Sequence, residues 1–278
     1  MKEVMRYGVA NIGIVPIRET PSETAEMVNQ LLLGETVEIL SQNGVWTRIV
    51  SHFDSYEGWV NSTQIRGLTE PDFHHWVTHP DRRRFPFRSI LVQGGSKHHL
   101  QVPCGAFLPV SYRGVEWFGE DFNYLSEPVR IKRKTVADTA HAFLGVSYLW
   151  GGRTDAGIDC SGFIQTVHML HGITLPRDSG DQFRFSEQKG TRLDEAESGD
   201  IIFFRYKDRP ISHIGFYLGN GLLLHASAQV RIQQIDPARQ TDQEYSFNEA
   251  LSEGIEGIIR PYRPVPVQSI LQNHETQR

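Results

Sequence analysis

The stretch Asp159-Cys160-Ser161-Gly162-Phe163-Ile164-Gln165-Thr166-Val167-His168-Met169-Leu170 decides how this chain is read. From Cys160 onward the apolar residues recur at helical spacing and the run stops before Gly172, which predicts a helix over Cys160–Leu170. Cys160 therefore stands where a loop meets a helix. The unpaired N–H groups and positive dipole end of a helix N-terminus stabilise a thiolate and lower its pKa, so a nucleophilic cysteine gains most at that place.

A thiolate is useful only with a base nearby. Strand-like runs follow at 200–204, 213–218 and 222–225, and Asn220-Gly221 is a two-residue hairpin turn between the last two. His213 begins one of these strands and His225 ends the next. An ideal register pairs residues whose numbers add to about 441. His213 and His225 add to 438, so they fall on neighbouring strands without lying directly across, and a bulge or offset could bring them together. Upstream, residues 136–144 have helical spacing and end at Gly145. Helices first and an antiparallel sheet afterwards point to an α+β domain.

Six segments in sequence carry a resemblance. They are Tyr148-Leu149-Trp150-Gly151-Gly152, Asp159-Cys160-Ser161-Gly162-Phe163, Leu175-Pro176-Arg177, Ser198-Gly199-Asp200-Ile201-Ile202-Phe203-Phe204, Ser212-His213-Ile214-Gly215-Phe216-Tyr217 and Leu224-His225-Ala226-Ser227. Together they resemble the NlpC/P60 family of cell-wall peptidases over residues 134–262. The resemblance implies a papain-like α+β core with Cys160 as nucleophile, His213 as base and His225 as the residue that orients the imidazole. The backbone N–H of Cys160 and the phenol of Tyr148 are the candidate oxyanion donors. Each residue also has a plainer reading: a buried structural thiol for Cys160, a satisfied strand histidine for His213. Zinc binding by Cys160, His213 and His225 is the rival chemistry, but no second Cys or close Cys-His spacing supports it, so no metal or cofactor is expected.

The first seventy residues read as short strands at Tyr7–Ala10, 13–16, 36–40, 45–50 and 58–61, punctuated by Gly, Asn, Asp and Pro. With Trp46-Thr47-Arg48-Ile49 and Tyr56-Glu57-Gly58-Trp59-Val60, this part resembles a bacterial SH3-like domain over residues 5–68. Residues 72–127 suggest a second, diverged barrel, with Gly94-Gly95 and Gly105 as turns. The expected order is an SH3-like barrel over 1–70, a diverged β-domain over 71–130, the catalytic domain over 131–265 and a polar tail over 266–278.

SH3-like modules ahead of such a core resemble the γ-D-glutamyl-L-diamino acid endopeptidases, which cut murein tripeptides or tetrapeptides bearing a free N-terminal L-Ala. The resemblance implies that Asp178-Ser179 and Tyr56 close around the free amine and that Trp150 lines the substrate site. Asp178 beside an ammonium would form a charge-assisted hydrogen bond. As a sequence, Asp-Ser is also a common helix start. The rivals are a secreted or surface hydrolase acting on intact wall and a binding protein with a dead peptidase fold.

Composition sets the outer bounds. The 278 residues are 39% hydrophobic and 22% charged, enough to bury sizeable cores. A formal charge of -5 argues against a nucleic-acid partner. The one basic run, Arg82-Arg83-Arg84, reads as a solvated loop or domain seam. Neither a signal peptide nor a membrane-length apolar run is visible, so a cytoplasmic enzyme acting on recycled wall peptides is expected. Cys104, the second of two cysteines, reads as a small core residue.

Overall fold

A computed structural model describes residues 5–86, 88–93, 99–110, 114–117, 120–124, 135–186, 190, 192–207, 209–239 and 244–260. The expected Gly94-Gly95 turn and the tail over 266–278 lie outside the described residues. The chain forms two compact units: Met1–Ile131 with Trp150–Asp155, and Lys132–Leu149 with Ala156–Arg278.

In the first unit, strands β1 (Tyr7–Ala10), β2 (Ile14–Arg18), β3 (Met27–Leu32), β4 (Thr36–Asn43), β5 (Trp46–Ser51), β6 (Glu57–Asn61) and β7 (Ile65–Leu68) form one sheet ordered β3-β2-β6-β5-β4-β1-β7. The alternation that predicts these strands places Val15, Ile17, Leu31, Val37, Ile49 and Val60 on the inner face. The helix α1 (Glu70–Thr78) was not legible in the sequence. Thr69 caps it by accepting from the Asp72 N–H, and it buries Phe73 and Trp76. Beyond it lie β8 (Arg82–Arg84), β9 (Ser89–Gln93), β10 (His99–Val102), β11 (Phe107–Pro109), β12 (Gly114–Trp117) and β13 (Glu120–Tyr124). They form a four-stranded sheet, β10-β9-β13-β12, and the pair β11-β8. Leu91, Val102, Leu108, Val115 and Phe122 share one core with Val9, Leu33, Leu68 and Trp76, so the two β-modules are packed together through α1. Cys104 is buried, and its Sγ donates to the Pro86 carbonyl.

Of the two readings of Arg82-Arg83-Arg84, a solvated loop or a domain seam, the loop gives way to a packed strand in which Arg83 alone is exposed. Arg82 is buried over the rings of Trp76 and Phe107, and burial lowers its pKa to about 9. Arg84 donates to Glu35 Oε1 at 2.6 Å. Arg153, fully buried, donates to both carboxylate oxygens of Glu35 at 3.1 Å. A buried carboxylate persists only when such partners compensate its lost hydration. The pairing explains why residues 150–155 belong with the first unit.

The short strands β14 (Arg153–Thr154), in the first unit, and β15 (Gly157–Ile158), in the second, come just before Cys160 in the chain. In the second unit α2 (Val136–His141), α3 (Cys160–Leu170), α4 (Ser179–Phe185) and α5 (Glu249–Glu253) accompany an antiparallel sheet of β16 (Ile201–Phe204), β17 (His213–Gly219), β18 (Leu222–Ser227), β19 (Gln229–Gln234) and β20 (Ile255–Ile259), ordered β19-β18-β17-β16-β20. The predicted helix over Cys160–Leu170 is the one observed, and it is buried along nearly all of its length. It packs on β17 and β18, with Phe163 edge-on to Phe216 at 5.3 Å between ring centroids. Asn220 and Gly221 both have positive φ, 53° and 76°, as a tight hairpin turn requires.

Candidate active site

Asp159 caps α3: its Oδ1 accepts from the Gly162 N–H at 2.7 Å. Arg177 holds that carboxylate from the other side, with Nη2 2.5 Å from Oδ2 and Nη1 3.0 Å from Oδ1, and Nη1 also donates to Ser161 Oγ. Asp159 and Arg177 are both buried. Gln182 of α4 donates to the carbonyls of Ser161 and Pro176, tying the following helix to the first turn of α3. The first turn that presents Cys160 is therefore fixed by neighbours on both sides.

Burial pushes the Cys160 thiol up to about 12, and the charge of Asp159 adds to the rise. Arg177 and the backbone N–H groups of Ser161 and Cys160 oppose it without overcoming it. The expectation of a thiolate stabilised by the helix terminus is thus corrected. The N–H groups do point at the sulfur, but desolvation disfavours the charged form more strongly. At rest Cys160 is a thiol and needs a base.

His213 opens β17, and β17 packs against the helix that Cys160 opens. His213 Nε2 lies 2.7 Å from His225 Nδ1, and the rings meet at 86°. On its other side His225 Nε2 is 3.0 Å from Gln233 Oε1 of β19. Gly215 faces His225 across the sheet; a Cβ there would come within 2.9 Å of the His225 Cβ. The glycine of Ser212-His213-Ile214-Gly215 thus leaves room for the imidazole. Burial, then His225 and Arg231, holds His213 down at about 3. His225 sits at about 4, lowered by burial and Arg231 against an opposing contribution from Gln233. Both imidazoles are neutral at pH 7 and can accept a proton.

Tyr148 is half-buried, and burial followed by the charges of Cys160 and Asp159 holds its phenol in the protonated, donating form. Its backbone N–H bonds the Ala228 carbonyl at 2.9 Å. Cys160 likewise raises the Tyr206 phenol after burial does, which puts Tyr206 in electrostatic reach of the sulfur. Sequence reasoning missed Tyr206, Arg177, Arg231 and Gln233, and only the Pro-Arg of Leu175-Pro176-Arg177 offered a signal.

Asp178 occupies the N-cap position of α4 and is exposed, yet its side chain accepts no capping bond from that helix. Ser179 is the first helical residue. Tyr56 and Trp150 belong to the first unit: Tyr56 packs partly buried against the barrel core, and Trp150 is 59% exposed. Among the described residues no group of three or more His, Cys, Asp or Glu is arranged to hold a metal, and no helix is long and apolar enough to cross a membrane.

Comparisons with known proteins place the chain in a family. The NlpC/P60 family model matches residues 145–249, and the model described as bacterial dipeptidyl-peptidase Sh3 domain matches residues 17–65. The gamma-D-glutamyl-L-lysine dipeptidyl-peptidase of Bacillus subtilis is 32% identical over 217 residues, covering 71% of each chain. Dipeptidyl-peptidase 6 of Lysinibacillus sphaericus is 33% identical over 244 residues, covering 78% of this chain and 87% of its own. The crystal structure of an NlpC/P60 family protein from Bacillus cereus has the same fold, with a TM-score of 0.73 at 20% identity over 91% of this chain and 99% of that one. With a cysteine at a capped helix start, a neutral histidine pair on the strands beside it and these relatives, the chain belongs to the NlpC/P60 family of cysteine peptidases.

Proposed function

We propose that this peptidase cuts the γ-D-glutamyl–diamino acid bond of murein peptides that carry a free N-terminal L-Ala, with Cys160 as nucleophile, His213 as base and His225 as its orienting partner. The 2.7 Å contact between His213 and His225 carries the assignment of roles, because it directs one nitrogen of His213 away from reaction. Cys160 gives its proton to His213 as the sulfur attacks the γ-carbonyl. The backbone N–H of Cys160 and the phenol of Tyr148 hold the oxyanion. The imidazolium then protonates the leaving amine, and water releases L-Ala-D-Glu from the thioester.

The activities named for the Bacillus subtilis and Lysinibacillus sphaericus relatives support the bond assignment. The Asp178 carboxylate, exposed at the start of α4, supports recognition of the substrate ammonium. A free-amine requirement in turn supports an enzyme of the cytoplasm that works on recycled fragments. Digestion of L-Ala-γ-D-Glu-L-Lys and its diaminopimelate counterpart, with and without N-acetylation, followed by mass spectrometry, tests the reading. The acetylated peptides are cut about ten- to a hundredfold more slowly, since a hydrogen bond to a charged group contributes about 1.5–3 kcal/mol. Equal rates, or release of peptides from intact sacculi, would replace the recycling reading with a wall hydrolase.

A further inference from the structure

We propose that Gln233 and Asn248 are positioning residues that set the tautomers of the histidine pair, so that Nδ1 of His213 is the bare nitrogen that receives the Cys160 proton. The inference rests on the reading of Cys160 and His213 as nucleophile and base. One donor in the chain of contacts has a fixed role. The backbone N–H of Leu251 in α5 donates to one side-chain terminus of Asn248 at 3.0 Å, and a peptide N–H can only donate. That terminus is therefore Oδ1, and the other is the Nδ2 donor.

Asn248 Nδ2 points at Gln233 at 3.0 Å, which makes the facing atom Oε1; the Gln233 amide nitrogen points the other way, to Ser246 Oγ at 3.2 Å. An amide oxygen has no proton to give, so the 3.0 Å contact between Gln233 Oε1 and His225 Nε2 is an N–H donated by the histidine. A neutral imidazole carries one N–H. His225 Nδ1 is then an acceptor, and the proton in the 2.7 Å contact belongs to His213 Nε2. The single N–H of His213 is used, and its Nδ1 is left with a lone pair.

Four elements supply this relay: β17, β18, β19 and the cap of α5. When Cys160 reacts, its S–H bond breaks, the electron pair stays on sulfur and an N–H bond forms at Nδ1. The existing N–H of His213 keeps donating to His225, and no second proton has to move. The amide at the far end orients the pair without placing an anion beside it.

Asn248→Asp separates positioning from folding, because Asp caps a helix as well as Asn does. The Leu251 N–H keeps its acceptor, but an oxygen now faces Gln233 Oε1. The Gln233 amide turns over, both histidine tautomers reverse, and the proton of His213 moves to Nδ1. We expect ¹⁵N-histidine spectra of the wild type, assigned with His213→Gln and His225→Gln, to show both rings protonated at Nε2. The Asn248→Asp variant shows both protonated at Nδ1, and its kcat falls about 10²–10⁴-fold, the worth of a positioned base, with little change in KM. Gln233→Glu, whose carboxylate still accepts from His225 Nε2 and Asn248 Nδ2, keeps the wild-type tautomers in the same spectra. A wild-type spectrum with His213 protonated at Nδ1, or an Asn248→Asp variant with unchanged tautomers, overturns the proposal. The spectra do not depend on turnover, so wild-type tautomers as stated together with an active Cys160→Ala variant would sink the catalytic reading instead.

Discussion

His213 and His225 touch across the sheet although they are not cross-strand partners. Gly219 pairs with Leu222 next to the turn, but a bulge follows, and Tyr217 then pairs with Leu223 and Gly215 with His225. His213 is thus the diagonal neighbour of His225, two residues beyond its partner and on the same face of the sheet. The contact depends on space at residue 215.

His213→Ala should reduce kcat about as much as loss of the nucleophile, whereas His225→Ala should be milder. An orienting side chain can be partly replaced by water; a group that both takes and returns a proton cannot. Gly215→Ala should be no more damaging than His225→Ala, because the new methyl displaces the His225 side chain while both imidazoles remain. Steady-state kinetics on the free-amine peptide checks the order, and a more damaged His225→Ala would mean the roles are exchanged.

Cys160→Ala should abolish hydrolysis in a folded protein. In the wild type, with the thiol at about 12 and His213 at about 3, the resting pair is neutral. Alkylation of Cys160 by iodoacetamide should therefore rise about tenfold per pH unit from 7 to 10, as the thiolate fraction does below its pKa. A rate that is flat across that range would reveal a thiolate–imidazolium pair.

His168 lies fully inside α3, stacked on Phe216, with Nδ1 bonded to the Ile164 carbonyl. Burial lowers it from 6.5 to about 4. The unfolded chain therefore binds its proton first as pH falls. The stability it contributes is fully present above about pH 6.5 and is lost toward pH 4, about 3 kcal/mol in all. His168→Phe should flatten that part of the stability–pH curve in denaturant titrations. An unchanged acid limb would show that other groups dominate it.

Glu35→Ala should lower the denaturant midpoint of the first unit, because Arg153 would remain buried, and Arg84 half-buried, without their carboxylate. Breaking such a pair costs about 3–5 kcal/mol. A loss below about 1 kcal/mol, the range of exposed pairs, would show that water reaches the guanidinium groups.

The sequence by itself determined the helix that Cys160 opens and the hairpin turn, and it singled out Cys160, His213 and His225 as candidates. Helical periodicity from Cys160, an Asn-Gly turn at 220–221 and alternation along the barrel strands are local properties, set by backbone geometry and by which face is buried. The helix at 70–78 escaped because its apolar face amounts to little more than Phe73 and Trp76 within a polar run. Only the tertiary structure decided that His213 meets His225. In the unbulged register they sit an odd number of positions apart and face opposite sides of the sheet; the one-residue slip between Tyr217 and Gly219 turns that into an even offset and a shared face. Only the tertiary structure decided the state of the thiol as well. A helix terminus favours a thiolate wherever it occurs, but desolvation depends on what packs around the sulfur, and here burial with Asp159 alongside outweighs the dipole. Gln233 and Asn248 carry no motif, and their link to the histidines exists because β19 and the cap of α5 fold back beside β18.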